Sequence, residues 1–145
     1  MSDMLEQLKK LDYRLKENQM PLRRTVAEAQ GWTIKEANSQ FGIVYDLIAP
    51  DGGNMTEMLL CAEVSDAWEQ APDFVNDLNA AIALLDEIGE WVDIRWVKLK
   101  EGLVYWVNAT VWGNPRIFNV RIEHTDLCIA CCLAYIGWKQ AQVKA

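Results

Sequence analysis

The chain has 145 residues, 51% of them hydrophobic and 24% charged, with eight glycines and four prolines. That is enough apolar material for one domain with its own core, and it excludes a disordered, collagenous or low-complexity chain. A net charge of −7 leaves few cations to line a basic face, so long nucleic acid is not expected as a partner, whereas a small anionic ligand gripped by two or three arginines remains open.

In chain order, Met4, Leu8, Leu11 and Leu15 form a narrow helical seam, which predicts an amphipathic helix over residues 1–19. It is either packed on the domain or used as an oligomerisation arm. Asn18 is expected to end it, with Pro21 in the first turn of a second helix that runs to Gly31. Residues 20–145 are expected to form a single domain. Residues 32–38 and 41–49 read as a hairpin whose second strand, apolar on both sides, is expected to be central in its sheet. Pro50-Asp51-Gly52-Gly53-Asn54 is a turn, and Ser65-Asp66-Ala67-Trp68 has the look of one helical turn. The next helix is expected to be capped by Asn76, to bury Leu78, Ala81, Ile82, Leu85 and Ile88, and to stop at Gly89. Residues 91–99, 103–112 and 116–123 read as an antiparallel meander. Residues 125–140 form a last helix whose continuous apolar middle predicts burial nearly all round. The longest apolar run, 127–136, has ten residues, short of the ~18 needed to span a bilayer. Residues 2–16 alternate charge with leucine where a signal peptide would carry its apolar stretch, so a cytoplasmic protein with no membrane partner is expected. The order of elements predicts an α+β fold: an antiparallel sheet of about five strands with helices packed on both faces, α/β/α sandwich-like.

Three stretches together carry a resemblance. They are Val26-Ala27-Glu28-Ala29-Gln30-Gly31-Trp32, then Pro72-Asp73-Phe74-Val75-Asn76-Asp77-Leu78-Asn79-Ala80-Ala81, and finally His124-Thr125-Asp126-Leu127 followed by Ile129-Ala130-Cys131-Cys132-Leu133-Ala134. In this order the chain resembles the phage ABA sandwich domain family over about residues 22–138. A similar size and element order is found in the Thoeris anti-defence sponge proteins of phages. The resemblance implies a phage or prophage protein that captures a cyclic ADP-ribose-type immune signal without chemistry, as an oligomer, through arginines and an aromatic residue near subunit contacts. One departure stands out. Members of the family commonly carry arginine in the last helix, in the pattern Ile-Cys-Arg-Ala-Ala, and here Cys132 holds that place.

Cysteine and histidine offer one nominal metal set, His124 with Cys128, Cys131 or Cys132, and Cys61. It lacks the paired knuckles of a zinc site, so small core residues are the expected reading, with no metal and no other cofactor. A single histidine, and no nucleophile elbow, P-loop or dinucleotide fingerprint, predict a protein that is not an enzyme. The meander is more informative. Period-two reading puts Phe118, Val120 and Ile122 on one side and Asn119 and Arg121 on the other, while Trp106, Asn108, Thr110 and Trp112 share a side of the middle strand. Guanidinium forks bind phosphate and indoles stack on bases, so Arg95, Trp106, Asn108, Arg116, Phe118 and Arg121 are the candidate ligand contacts. The alternative is a solvent-facing side whose tryptophans are covered by a helix or a second subunit. Seven tryptophans favour a homo-oligomer. The expected function is capture of a nucleotide-derived signal. The rival is a structural or interaction module of a phage or host-takeover complex with no small ligand.

Overall fold

The computed structural model describes residues 2–56, 60–88, 92–112 and 117–144. Along the described residues run α1 (Ser2–Lys9), α2 (Lys16–Gln30), β1 (Thr33–Ser39), β2 (Gly42–Ile48), α3 (Val64–Trp68), α4 (Leu78–Ile88), β3 (Val92–Leu99), β4 (Gly102–Trp112), β5 (Ile117–His124) and α5 (Leu127–Lys144). The class is α+β, as the patterning predicts.

Helix α5 is the axis of the molecule. Every residue from Ile129 to Ile136 is buried, because α4, α2 and α1 pack against it on one side and β4 and β5 on the other. A helix enclosed in this way needs no polar stripe. Its start is fixed by Asp126, whose carboxylate accepts from the Ile129 N–H at 3.1 Å, relieving one orphan donor of the first turn. Near its far end Gly137 lets the helix close on the sheet: a Cβ there would lie 2.7 Å from Val120 Cγ1.

The N-terminal region departs from its reading. Helix α1 ends at Lys9, well before Asn18. The chain then turns through Tyr13, whose buried hydroxyl donates to the Leu8 carbonyl at 2.6 Å, and through an Asp12–Arg14 ion pair at 2.9 Å. Helix α2 begins at Lys16 and carries Pro21 inside it rather than at its start. Proline removes one intrahelical donor, but the next turns bury Leu22, Val26 and Ala27 completely, and that packing keeps the helix continuous. Gly31, at φ 105°, ends it: the N–H groups of Gly31 and Trp32 return to the carbonyls of Glu28 and Ala27, a left-handed cap that favours glycine.

In α4 the cap is Asp77 rather than Asn76, its carboxylate accepting from Asn79 N–H at 3.0 Å. Leu84 joins the buried stripe while Leu78 stays exposed.

The strands divide into two sheets, β1–β2 and β3–β4–β5, all antiparallel. The expected sheet of about five strands is therefore not continuous. The second strand is not central, because its far edge is occupied by the following loop. Tyr45 N–H donates to the Cys61 carbonyl and Met55 N–H to the Leu47 carbonyl, both at 2.9 Å, while the Thr56 hydroxyl accepts from Leu47 N–H at 3.0 Å. Among the described residues, α5 is the helix that packs substantially on the three-stranded sheet. Helix α5 covers the side carrying Val107, Ala109 and Ile122, all buried, and the opposite side holds only exposed and half-buried residues among those described. No helix among the described residues is long and apolar enough to cross a membrane.

Candidate functional site

The open side of the three-stranded sheet is assembled by register. Arg95 lies opposite Trp106 and Trp106 opposite Glu123; Asp93 lies opposite Asn108 and Asn108 opposite Arg121; Thr110 faces Asn119. Directly paired residues project to the same side, so Arg95, Trp106, Asn108 and Arg121 share one face, with Thr110 and Asn119 beside them. The polar sides of the three strands coincide, a condition that period two alone leaves open and the register decides. Phe118 pairs with Val111 and is in phase with Val120 and Ile122, the alternate set of positions. Arg116 lies outside the described residues.

The two described arginines of this face differ. Arg95 is exposed and paired with its own neighbour Asp93, Nε to Oδ2 at 2.8 Å. Its charge is already matched, and an exposed pair of this kind contributes little to stability. The guanidinium carbon of Arg121 sits 4.4 Å from the centre of the Trp106 ring, within cation–π range, and has no carboxylate partner among the described residues. Two polar atoms of this face are shut off from solvent, Trp106 Nε1 and Asn108 Oδ1, with no hydrogen-bond partner among the described residues. A donor and an acceptor buried unpaired are costly, and here they belong to the residue that Arg121 stacks on and the residue paired with it across the strands.

A second recess, about 600 Å³, lies where the 10–15 turn meets the start of α5, lined by Tyr13, Arg14, Gln19, His124 and Asp126 among others. His124 Nδ1 accepts from the Asp126 N–H at 2.9 Å, so the neutral ring carries its proton on Nε2. Burial depresses its pKa against the pull of Asp126. Burial also holds the Tyr13 phenol up at about 12, and its proton is committed to Leu8. The recess thus pairs a neutral imidazole with an un-ionised phenol.

The nominal metal set does not assemble: the described residues contain no group of three or more His, Cys, Asp or Glu placed to hold a metal ion. Burial raises the Cys131 thiol to about 12 and pushes Cys132 well above its ordinary value, the reverse of what a thiolate ligand requires. Cys132 donates its thiol to the Phe74 carbonyl at 3.4 Å.

Arg23 was missed by the sequence reading. It is largely buried between α2 and the 69–73 segment, donates to the Ala71 carbonyl at 3.0 Å and lies 3.5 Å from Asp73. Nothing in the local pattern of α2 marks it, because its acceptors are carbonyls almost fifty positions away.

These features define a class: an α+β protein whose antiparallel sheet is packed by helix on one side and open on the other, with a cation–indole stack at the centre of the open side. No protein-family model matches the chain, and no curated protein or solved structure matches it.

Proposed function

We propose that the protein is a non-enzymatic binding protein that captures a small anionic nucleotide-type ligand on the open side of the β3–β4–β5 sheet. The observation that carries this reading is the Arg121–Trp106 stack, with the unpartnered Trp106 Nε1 and Asn108 Oδ1 on the same face. Arg121 swinging off the indole to grip a phosphate uncovers the ring for a base and frees one donor and one acceptor to meet its edge. Arg95 adds a second cation at the rim, weakened by Asp93. The resemblance narrows the ligand to a cyclic ADP-ribose-type signal and the role to that of a phage-encoded anti-defence sponge in the host cytoplasm. Such a protein works by affinity and copy number, not turnover.

Titration calorimetry with cyclic ADP-ribose isomers and cyclic dinucleotides, at about 100 µM protein to reach weak sites, tests the reading. Binding of at least one of them is expected, weakened about tenfold or more by Arg121→Ala through loss of the guanidinium grip on the phosphate. No heat with any of these ligands overturns it. The rival reading, an interaction module without a ligand, is supported by a different observation: the exposed apolar residues of the β3–β4 hairpin, among them Trp96, Leu99 and Leu103. A stoichiometric protein partner that buries this hairpin, in a protein silent to nucleotides, favours it.

A further inference from the structure

We infer that two copies of this chain join along β3, antiparallel and centred on Ile94, so that the two three-stranded sheets become one six-stranded sheet. The inference rests on β3 itself and is independent of the ligand.

Strand β3 is an edge of its sheet, and every residue from Asp93 to Leu99 is exposed. The other hairpin shows what a protected edge looks like: there the 53–61 segment bonds to β2. Among the described residues nothing comparable bonds along β3, and its substantial packing is on β4. Two-residue loops close both hairpins, and the pair Leu99–Gly102 closes this one. A pair closing such a loop is hydrogen-bonded, and bonded and non-bonded pairs alternate from there. Val97, Arg95 and Asp93 therefore bond to β4, while Lys98, Trp96, Ile94 and Val92 aim their N–H and C=O groups at the open edge. These free groups are flanked by apolar side chains: Trp96 is 66% exposed and Ile94 40%. Proteins usually blunt an edge of this kind with charge, proline or a bulge.

Charge selects the register. A second β3 can bond only when its own outward residues face these, which fixes the centre of symmetry on a single residue. Centred on Asp93, the two Asp93 carboxylates meet; centred on Arg95, the two guanidinium groups meet. Centred on Trp96, Arg95 and Asp93 face Val97 and Leu99. Centred on Ile94, each Asp93 faces Arg95 of the second copy, and each Arg95 lies between two carboxylates. On the other side Val92 meets Trp96 of the second copy around the paired Ile94 side chains. Of these four registers, it is the one that keeps the hydrogen-bond phase and sets opposite charges face to face. The two-fold axis stands perpendicular to the sheet, so both open faces look the same way. The two Trp106 strands lie three strand spacings apart, about 14 Å.

Sedimentation velocity of the full chain at about 100 µM, within reach of a weak dimer, is the test, with circular dichroism to confirm that each variant is folded. The wild type is expected at twice its 16.6 kDa chain mass. Arg95→Asp and Asp93→Arg each place like charges opposite one another and are expected to sediment as monomers. The double variant Asp93→Arg/Arg95→Asp restores the alternation and is expected to be a dimer again. Ile94→Pro removes only an outward N–H and is expected to be a folded monomer. A monomeric wild type, a dimer indifferent to either single reversal, or a folded double variant that stays monomeric overturns the proposal. Calorimetry on Ile94→Pro, which changes no candidate ligand contact, keeps the outcome separate from that of the ligand reading.

Discussion

The middle of α5 and the β3–β4 hairpin are both rich in large apolar residues, yet they have opposite fates. In α5, Leu133, Tyr135 and Ile136 are buried against helices on one side and strands on the other. In the hairpin, Trp96, Val97, Leu99 and Leu103 meet solvent. The same composition thus supplies the cohesion of the fold in one place and an unspent surface in the other. Isolated exposed apolar residues are ordinary, but a contiguous group along an unpaired strand edge marks a place where something else binds.

The sharpest way to break this comparison is to cut both regions and measure stability. Leu133→Ala in α5 is expected to cost about 3 kcal/mol, the range for a buried leucine that leaves a cavity, read as a lower urea midpoint. Gly137→Ala is expected to destabilise by about 1–2 kcal/mol despite the better helix propensity of alanine. The new Cβ would sit 2.7 Å from Val120 and 3.2 Å from Leu5, forcing α5 off the sheet. A thermal melt unchanged or raised by this substitution would show that the crossing has slack.

Titration separates the regions further, because the buried thiols sit in α5. Cys131 and Cys132 titrate higher in the fold than the ordinary 9.0. The folded state therefore holds protons that the unfolded chain releases, and stability is full below pH 9 and falls as pH rises above it. The slope is at most about 1.4 kcal/mol per pH unit per thiol. Replacing Cys131 by alanine is expected to flatten that limb in denaturant titrations between pH 8.5 and about 10.5. His124 works in the other direction. Its pKa is lowered by burial from 6.5, so its share of stability is present above pH 6.5 and is lost as the pH falls through the depressed value. A His124→Asn variant is expected to lose that acid limb. The smallest effect belongs to the hairpin: Trp96→Thr is expected to change monomer stability by less than about 0.5 kcal/mol, as for most surface substitutions. Its dimer should weaken in the same sedimentation experiment. A large loss of monomer stability would mean that this tryptophan is packed after all.

Much of the architecture was legible from the sequence. Period two marked the meander strands and the alternation within each, a local rule, but whether Arg95, Trp106, Asn108 and Arg121 share one side was left to the register, which the structure supplies. The glycine stop at Gly31 and the enclosed apolar run of α5 were equally local. The division into two sheets was not legible, since it depends on Met55, Thr56 and Cys61 reaching β2 from a loop. Nor was the continuity of α2 through Pro21, which rests on Leu22 and Val26 finding buried neighbours.

Outside the α1–α2 region, chain chemistry by itself determined most of which segments are helix or strand and which side chains alternate along a strand, because backbone sterics and alternation act between near neighbours. Only the tertiary structure decided which faces are covered. It set α5 on one side of the three-stranded sheet, left Arg95 matched by Asp93 and Arg121 stacked on Trp106, and kept the β3 edge open. Those outcomes depend on what packs across long sequence separations, where burial and hydrogen-bond competition, not local preference, set the free energy.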